Sequence, residues 1–304
     1  MFFNFFQKKP FQSGYLPSLD GHEIFYQQFG NPKGEPVLYF HGGPGGSSKP
    51  TQTDPYDLKR FRVILFDQRG SGKSIFQNPV YKNTTLDTIQ DAARLLNFLK
   101  IKTKIIVAGG SWGATLALLF AESYPKTIKK IVVSQIFLAR ERDRKWCDCD
   151  AVRFYPDIMD ALQKPAGKKE IVSYYHQMIF SNSKEDQEKA LALYGQAEEL
   201  IGQISPSFKP AYWDEKAVRK LRVFLHYEKN HHFMQDNCVL NNIEKIRTIP
   251  MLIFHNRMDF CCPLEQAWEV HKHCPKSKLI IVPDTGHFSP KLFKTMKKVL
   301  KKAL

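Results

Sequence analysis

The stretch IIVAGGSWGATLALLFAESYP, Ile105 to Pro125, decides how the rest of the chain is read. Ile105, Ile106, Val107 and Ala108 suit a strand buried on both faces. The Ala- and Leu-rich run from Ala114 suits a helix. Between them, Gly109-Gly110-Ser111-Trp112-Gly113 fits the spacing G-x-S-x-G. A serine at so sharp a strand-to-helix turn sits in a strained backbone that exposes its Oγ, and the flanking glycines let the turn close. The helix N-terminus behind it favours developing negative charge. Ser111 is therefore a candidate nucleophile, and the expectation stands or falls with a base and an orienting acid elsewhere.

Further apolar runs have the same character. VLYFHGG from Val37, RVILFD from Arg62 and KIVVSQ from Lys130 each predict a buried strand, and strand signals return at PMLIFHN from Pro250 and KLIIVP from Lys278. TLDTIQDAARLLNFLK predicts a helix capped by Thr84 or Thr85, with Leu86, Ile89, Ala93, Leu96 and Leu99 on one face. Strands alternating with helices imply a mostly parallel α/β sheet with helices on both faces. The alternation stops near Arg140, and the following hundred residues read as helical and charge-rich, most clearly in KEIVSYYHQMIF and KEDQEKALALYGQAEELIGQI. The expected organisation is an α/β core over 1–139 and 243–304, interrupted by a helical insertion over 140–242.

In sheets of this kind the partners of the serine follow in the order acid, then histidine, each on a loop after a later strand. Arg257-Met258-Asp259 follows MLIFHN, and Asp284-Thr285-Gly286-His287 follows KLIIVP. Asp259 and His287 thus occupy the two expected positions. His287 would take the serine proton, and Asp259 would fix the imidazole tautomer and stabilise the imidazolium. Asp284 competes for the acid, but it shares a loop with His287 and suits the turn better. The Gly-rich loop in YFHGGPGGSS can aim a backbone N–H, that of Gly43, at a substrate oxygen, with the N–H of Trp112 as second donor.

FDQRGSGKSIF, Phe66 to Phe76, imitates a phosphate-binding loop but lacks its first glycine, because Asp67 stands there. It reads instead as a tight loop after a strand, with Asp67 and Arg69 bracing the site and Lys73 at the surface. The 304 residues carry 45 Lys+Arg against 30 Asp+Glu, a net charge of +15. The lysines are spread out and do not interleave with aromatic residues as nucleic-acid binding requires, so no nucleic-acid partner is expected. The densest run, KLFKTMKKVLKKAL, predicts a terminal amphipathic helix with Leu292, Phe293, Met296, Val299 and Leu300 on its apolar face. No apolar run spans a bilayer and the N-terminus has no secretory pattern, so a cytoplasmic protein without a membrane partner is expected. The six cysteines form no paired C-x-x-C motifs, so no metal site is expected.

Together, HGGPGG, DQRGSGKS, NTT before a helix, GGSWGATLAL, DFCCPLEQAW and TGH resemble the proline iminopeptidase (prolyl aminopeptidase) family of α/β-hydrolases. The resemblance covers most of the chain, strongly in the α/β part and more loosely in the cap. It implies the α/β-hydrolase fold with an inserted helical cap, and a cofactor-free serine exopeptidase that removes N-terminal proline from peptides with a free N-terminus. It also implies the triad Ser111, Asp259 and His287 that the spacing had reached separately. From the same resemblance, Glu198 and Glu228 would bind the substrate amine and Phe137 would line the pocket. The cap departs from the family pattern: Tyr194 and Ala197 replace tryptophans, Lys229 shifts Glu228 by one position, and Ser134-Gln135 replaces Arg-Gly. The altered cap motivates the alternative expectation, an esterase or amidase with the same triad.

Overall fold

Each of the six apolar runs forms a strand in the computed structural model, which describes residues 8–148, 150–202, 212–283 and 285–304, without the side chains at 148, 151, 152, 198 and 199. The strands are β3 (Glu35–Phe40), β4 (Phe61–Phe66), β5 (Ile105–Gly110), β6 (Ile128–Ser134), β7 (Met251–Asn256) and β8 (Ser277–Val282). Two earlier strands, β1 (Gln12–Tyr15) and β2 (Phe25–Gly30), complete an eight-stranded sheet of order β1-β2-β4-β3-β5-β6-β7-β8. The pairs β1–β2 and β2–β4 are antiparallel, and all the others are parallel.

Alternate residues of the central strands feed two cores. Leu38, Phe40, Ile64, Phe66 and Val107 pack with α1 (Thr85–Phe98), α2 (Trp112–Ser123) and α10 (Leu264–His273). Val37, Tyr39, Val63, Leu65 and Ile106 pack with Leu292, Met296 and Leu300 of α11 (Pro290–Ala303). Burial on both faces is why these strands read as unbroken apolar runs. In α11, Phe293 stays exposed while Val299 packs partly against the core, so the apolar stripe is narrower than its pattern suggested.

Helix α1 starts at its expected N-cap, Thr84, whose side chain accepts from the Asp87 N–H. The expected face needs correcting, because Leu86 is 63% exposed and the buried set is Thr85, Thr88, Ile89, Asp91, Ala92, Leu95 and Leu96. A polar requirement turned the helix. The Arg69 guanidinium is fully buried and bonds Asp91 twice, at 2.7 and 3.1 Å, which holds Asp91 inward.

Between 141 and 242 the described residues form helices and no strand. They include α3 (Glu141–Asp148), α4 (Pro156–Ala166), α5 (Ile171–Phe180), α6 (Lys184–Ala192), α7 (Tyr194–Ile201), α8 (Glu215–Lys229) and α9 (Cys238–Asn242). The long charged segment expected as one helical run breaks at Leu193 into α6 and α7. These helices share an apolar cluster of their own, including Ile158, Leu162, Tyr175, Ile179, Leu200 and Leu225, while Val223, Tyr227 and Val239 pack into the main core. No helix among the described residues is long and apolar enough to cross a membrane.

Glu122, near the end of α2, is 6% exposed, and burial pushes its carboxyl up to about 8. Its folded-state value lies above the ordinary 4.5, so the stability it contributes is complete below that pH and is lost as pH rises toward 8. Glu122→Gln keeps the shape and removes the ionisation. Its Tm should exceed that of the wild type at pH 8 and converge on it near pH 4. Equal differences at both pH values, measured by thermal melts, would refute the assignment.

Candidate active site

Ser111 has φ 57° and ψ −130°, a conformation rare for a side-chain-bearing residue. Its N–H donates to the Ser134 carbonyl at 3.1 Å, tying the turn to the end of β6. The glycines are sterically required. A Cβ on Gly109 would lie 2.0 Å from the Gly113 carbonyl oxygen, and one on Gly113 would lie 2.1 Å from that of Phe40. So β5, α2 and β3 meet backbone to backbone, and the serine has nowhere to go but outward.

The loops after β7 and β8 bring Asp259 and His287 together. His287 Nδ1 lies 2.9 and 3.0 Å from the two carboxylate oxygens of Asp259. Asp259 also accepts from the Cys262 N–H at 2.8 Å. Burial alone would push its carboxyl up. The His287 charge and hydrogen bond, with His255 and the Cys262 N–H, outweigh that and hold it below the ordinary value. An Nδ1–H donated to Asp259 leaves the His287 Nε2 as the basic atom. The loop carrying His287 is pinned from below: the Gln135 amide donates to the His287 carbonyl, and the Asn256 amide to that of Gly286 at 2.8 Å. Asp284 lies outside the described residues.

The Gly43 loop is braced by the DQRG loop, as the sequence suggested. Asp67 accepts from the Ser48 N–H at 2.7 Å, the Ser48 hydroxyl at 2.6 Å and the Lys73 N–H at 2.8 Å. Gly72 lets this happen, since its Cβ would fall 2.2 Å from an Asp67 carboxylate oxygen. His41 accepts from the Gln68 N–H at 3.1 Å, and burial holds its ring below the ordinary histidine value.

Ser111 opens into a cavity also lined by Gly43, Phe137, Glu228, His232 and Cys262. Phe137, named from the resemblance for the pocket, and Glu228, named for the substrate amine, both line this cavity. Glu198 falls on α7, but its side chain is outside the described residues. Trp112, at the first turn of α2, is buried. His232 was not anticipated. It is fully buried, it packs against Trp112 and Phe137 with ring centroids 4.9 and 5.4 Å apart, and its Nε2 lies 3.4 Å from a Glu228 oxygen. Among the described residues neither of its ring nitrogens has a hydrogen-bond partner. Burial, reinforced by Arg144 and His231, pushes it down to about 3, so its ring is neutral near pH 7. Its four-residue spacing from Glu228 was the available signal. His255 was also missed, because it lies inside an apolar run, and Gln135 was read only as a departure from the family pattern.

Comparison with known proteins fits this geometry. The family model described as "alpha/beta hydrolase fold" matches residues 35–292. A "probable proline iminopeptidase" of Leptolyngbya boryana is 36% identical over 288 residues, 91% of this chain and 89% of its own. The proline iminopeptidase of Neisseria gonorrhoeae is 35% identical over 296 residues, 94% of each chain. The chain belongs to the proline iminopeptidase family of α/β-hydrolases. Among solved structures, an esterase from Exiguobacterium antarcticum overlays with TM-score 0.60 at 20% identity, covering 96% of this chain and 100% of that one. A proline iminopeptidase-related protein from Thermus thermophilus gives 0.61 at 18% identity, covering 96% of each chain. These two show the shared fold.

In this member of the proline iminopeptidase family, Gly113→Ala should be among the most damaging single-methyl additions. The new Cβ meets the Phe40 backbone, which cannot yield as a flexible side chain would. Thermal denaturation should show a Tm drop well beyond that of Ala114→Gly on the same helix. A Tm equal to wild type would overturn the close-packing account.

Proposed function

We propose that this chain is a serine exopeptidase that releases an N-terminal residue, proline by preference, from peptides with a free N-terminus. One observation carries the reading: the Asp259–His287 pair stands at the sheet edge that also presents the strained Ser111, beside a cavity whose described lining includes one acid, Glu228.

In this reading His287 Nε2 takes the Ser111 hydroxyl proton as Oγ attacks the scissile carbonyl. Asp259 keeps Nδ1 protonated and stabilises the imidazolium. The N–H groups of Gly43 and Trp112 receive the oxyanion. His287 then protonates the leaving amine, and water hydrolyses the acyl-enzyme by the same steps in reverse order. The helices of 140–242 act as a cap over the core of 1–139 and 243–304, limiting access to chain ends. Glu228 takes the substrate amine by a charge-assisted hydrogen bond, with Glu198 as a second carboxylate and Phe137 against the proline ring. Beside Glu228, the neutral His232 offers a nitrogen lone pair to the same amine. The peptide is the only partner this chemistry requires. A cytoplasmic setting fits the free thiols of Cys238 and Cys274.

Ser111→Ala should abolish hydrolysis of a proline arylamide with the fold intact. Asp259→Asn should lower kcat by about 10⁴-fold, the loss seen when the wrong imidazole tautomer is held. Substantial activity in either variant, by steady-state kinetics on protein with wild-type circular dichroism, would sink the triad.

Amine recognition is tested separately by comparing the free proline arylamide with its N-acetylated form. Wild type should strongly favour the free amine. Glu228→Gln and His232→Phe should each raise KM for the free form and narrow that preference. Indifference of the wild type to acetylation would favour the esterase or amidase reading with the same triad.

A further inference from the structure

The serine mechanism uses the ring of His287 but not the two sulfur atoms beside it. Cys261 and Cys262 are both buried, both line the cavity that holds Ser111, and both follow Asp259 in the loop after β7. The Cys261 Sγ, the Cys262 Sγ and a ring nitrogen of His287 all lie within 4.8 Å of one another. We propose that Cys261, Cys262 and His287 form an inhibitory binding site for a thiophilic divalent cation of the Zn²⁺ or Cd²⁺ type.

The donor set suits such an ion. Two sulfurs and one imidazole nitrogen with a fourth position open is a known zinc arrangement, with Zn–S about 2.3 Å and Zn–N about 2.0–2.1 Å. Tetrahedral geometry at those lengths puts the donor atoms roughly 3.5 Å apart, so modest side-chain adjustment closes the set. A metal-bound histidine is normally oriented by a carboxylate on its other nitrogen. Asp259, 2.9 Å from Nδ1, already supplies it, leaving Nε2 for the ion. The cavity gives both the access route and room for water as fourth ligand. Binding exchanges two thiol protons for the cation and involves no redox step. Hard cations such as Mg²⁺ prefer oxygen ligands and have no claim on these donors.

Occupancy silences the enzyme because the Nε2 lone pair would be given to the metal and could not accept the Ser111 proton. This consequence rests on the proposed role of His287, whereas the binding itself does not. The site therefore makes hydrolysis responsive to thiophilic metal through two thiols that the serine mechanism does not use.

The test titrates the full chain with Cd²⁺, following the ultraviolet thiolate-to-cadmium charge-transfer band, and in parallel measures proline arylamide hydrolysis with Zn²⁺ or Mg²⁺. A band saturating at one equivalent, with Zn²⁺ inhibition reversed by EDTA and no effect of Mg²⁺, supports the proposal. Cys261→Ser and Cys262→Ser should each weaken inhibition, relative to that variant's own metal-free rate, by about 10–100-fold, the scale of losses at metal sites. The absence of the band in the wild type overturns the proposal without relying on any variant. Undiminished Zn²⁺ inhibition in folded Cys261→Ser/Cys262→Ser does so as well. If the wild type binds Cd²⁺ through these cysteines but turns over no arylamide, the metal site stands and the peptidase reading falls.

Discussion

Backbone contact at one turn underlies the whole site. Between β5 and α2 the chain reverses so tightly that Gly109 faces the Gly113 carbonyl and Gly113 faces that of Phe40, with no space for a methyl group. Three elements are thereby locked at their backbones, the most rigid contact a protein offers. Ser111 cannot relax out of its φ of 57° without moving α2 away from β3. Strain of this kind costs on the order of 1–3 kcal/mol and persists only where the surroundings over-determine it. Here they do, because α2 is buried along most of its length between the sheet and α1. Ser111 is thus held by the core.

Electrostatics then divide the histidines by task. His41, His232 and His255 are all buried, and burial holds each below the ordinary histidine value. His255 stays 3.8 Å from Asp259 and bonds the Cys262 carbonyl instead. His287 alone has a carboxylate on its Nδ1 at hydrogen-bond distance among the described residues. Buried charges are expensive unless paired and bonded, and those near the site meet that condition. Asp259 has His287 and a backbone N–H, Asp67 has three donors, and Arg69 has Asp91. Asp259 and His287 tie the loop after β7 to that after β8, Ser48 and Asp67 tie the loop after β3 to that after β4, and Arg69 ties the latter to α1.

Legibility of the sequence followed burial. Strands buried on both faces leave unbroken apolar runs, so β3 to β7 were readable, the half-buried edge strand β8 still showed as KLIIV, and the loops after these strands showed Ser111, Asp259 and His287 in chain order. β1 and β2 were not readable. Their pairing places Gln28 in the interior, where it bonds Gln12 at 2.8 Å and Arg62 at 2.6 Å, and no apolar pattern marks such a strand. The face of α1 was misjudged for a related reason, since Asp91 turns inward to meet an arginine from a different loop. The position of His232 depends on a chain kink with positive φ from His231 to Phe233, which periodicity cannot reveal.

That kink bears on selectivity. By turning back at the end of α8, the chain lays His232 against Trp112 and Phe137, which puts the aromatic rings of His232 and Phe137 in the wall of the cavity that Ser111 also lines. An uncharged ring there does not repel a cation, as an imidazolium would. The cavity lining carries both the Glu228 carboxylate and the Arg144 guanidinium, and in the proposed reading it is Glu228, beside His232, that meets the substrate amine. A protonated amine brings the complementary charge together with several N–H donors. An acylated nitrogen brings neither the charge nor the donors and adds bulk against the aromatic wall. In the proposed reading, preference for a chain end over a chain interior arises from one acid and the neutral imidazole beside it, with the triad indifferent to the distinction.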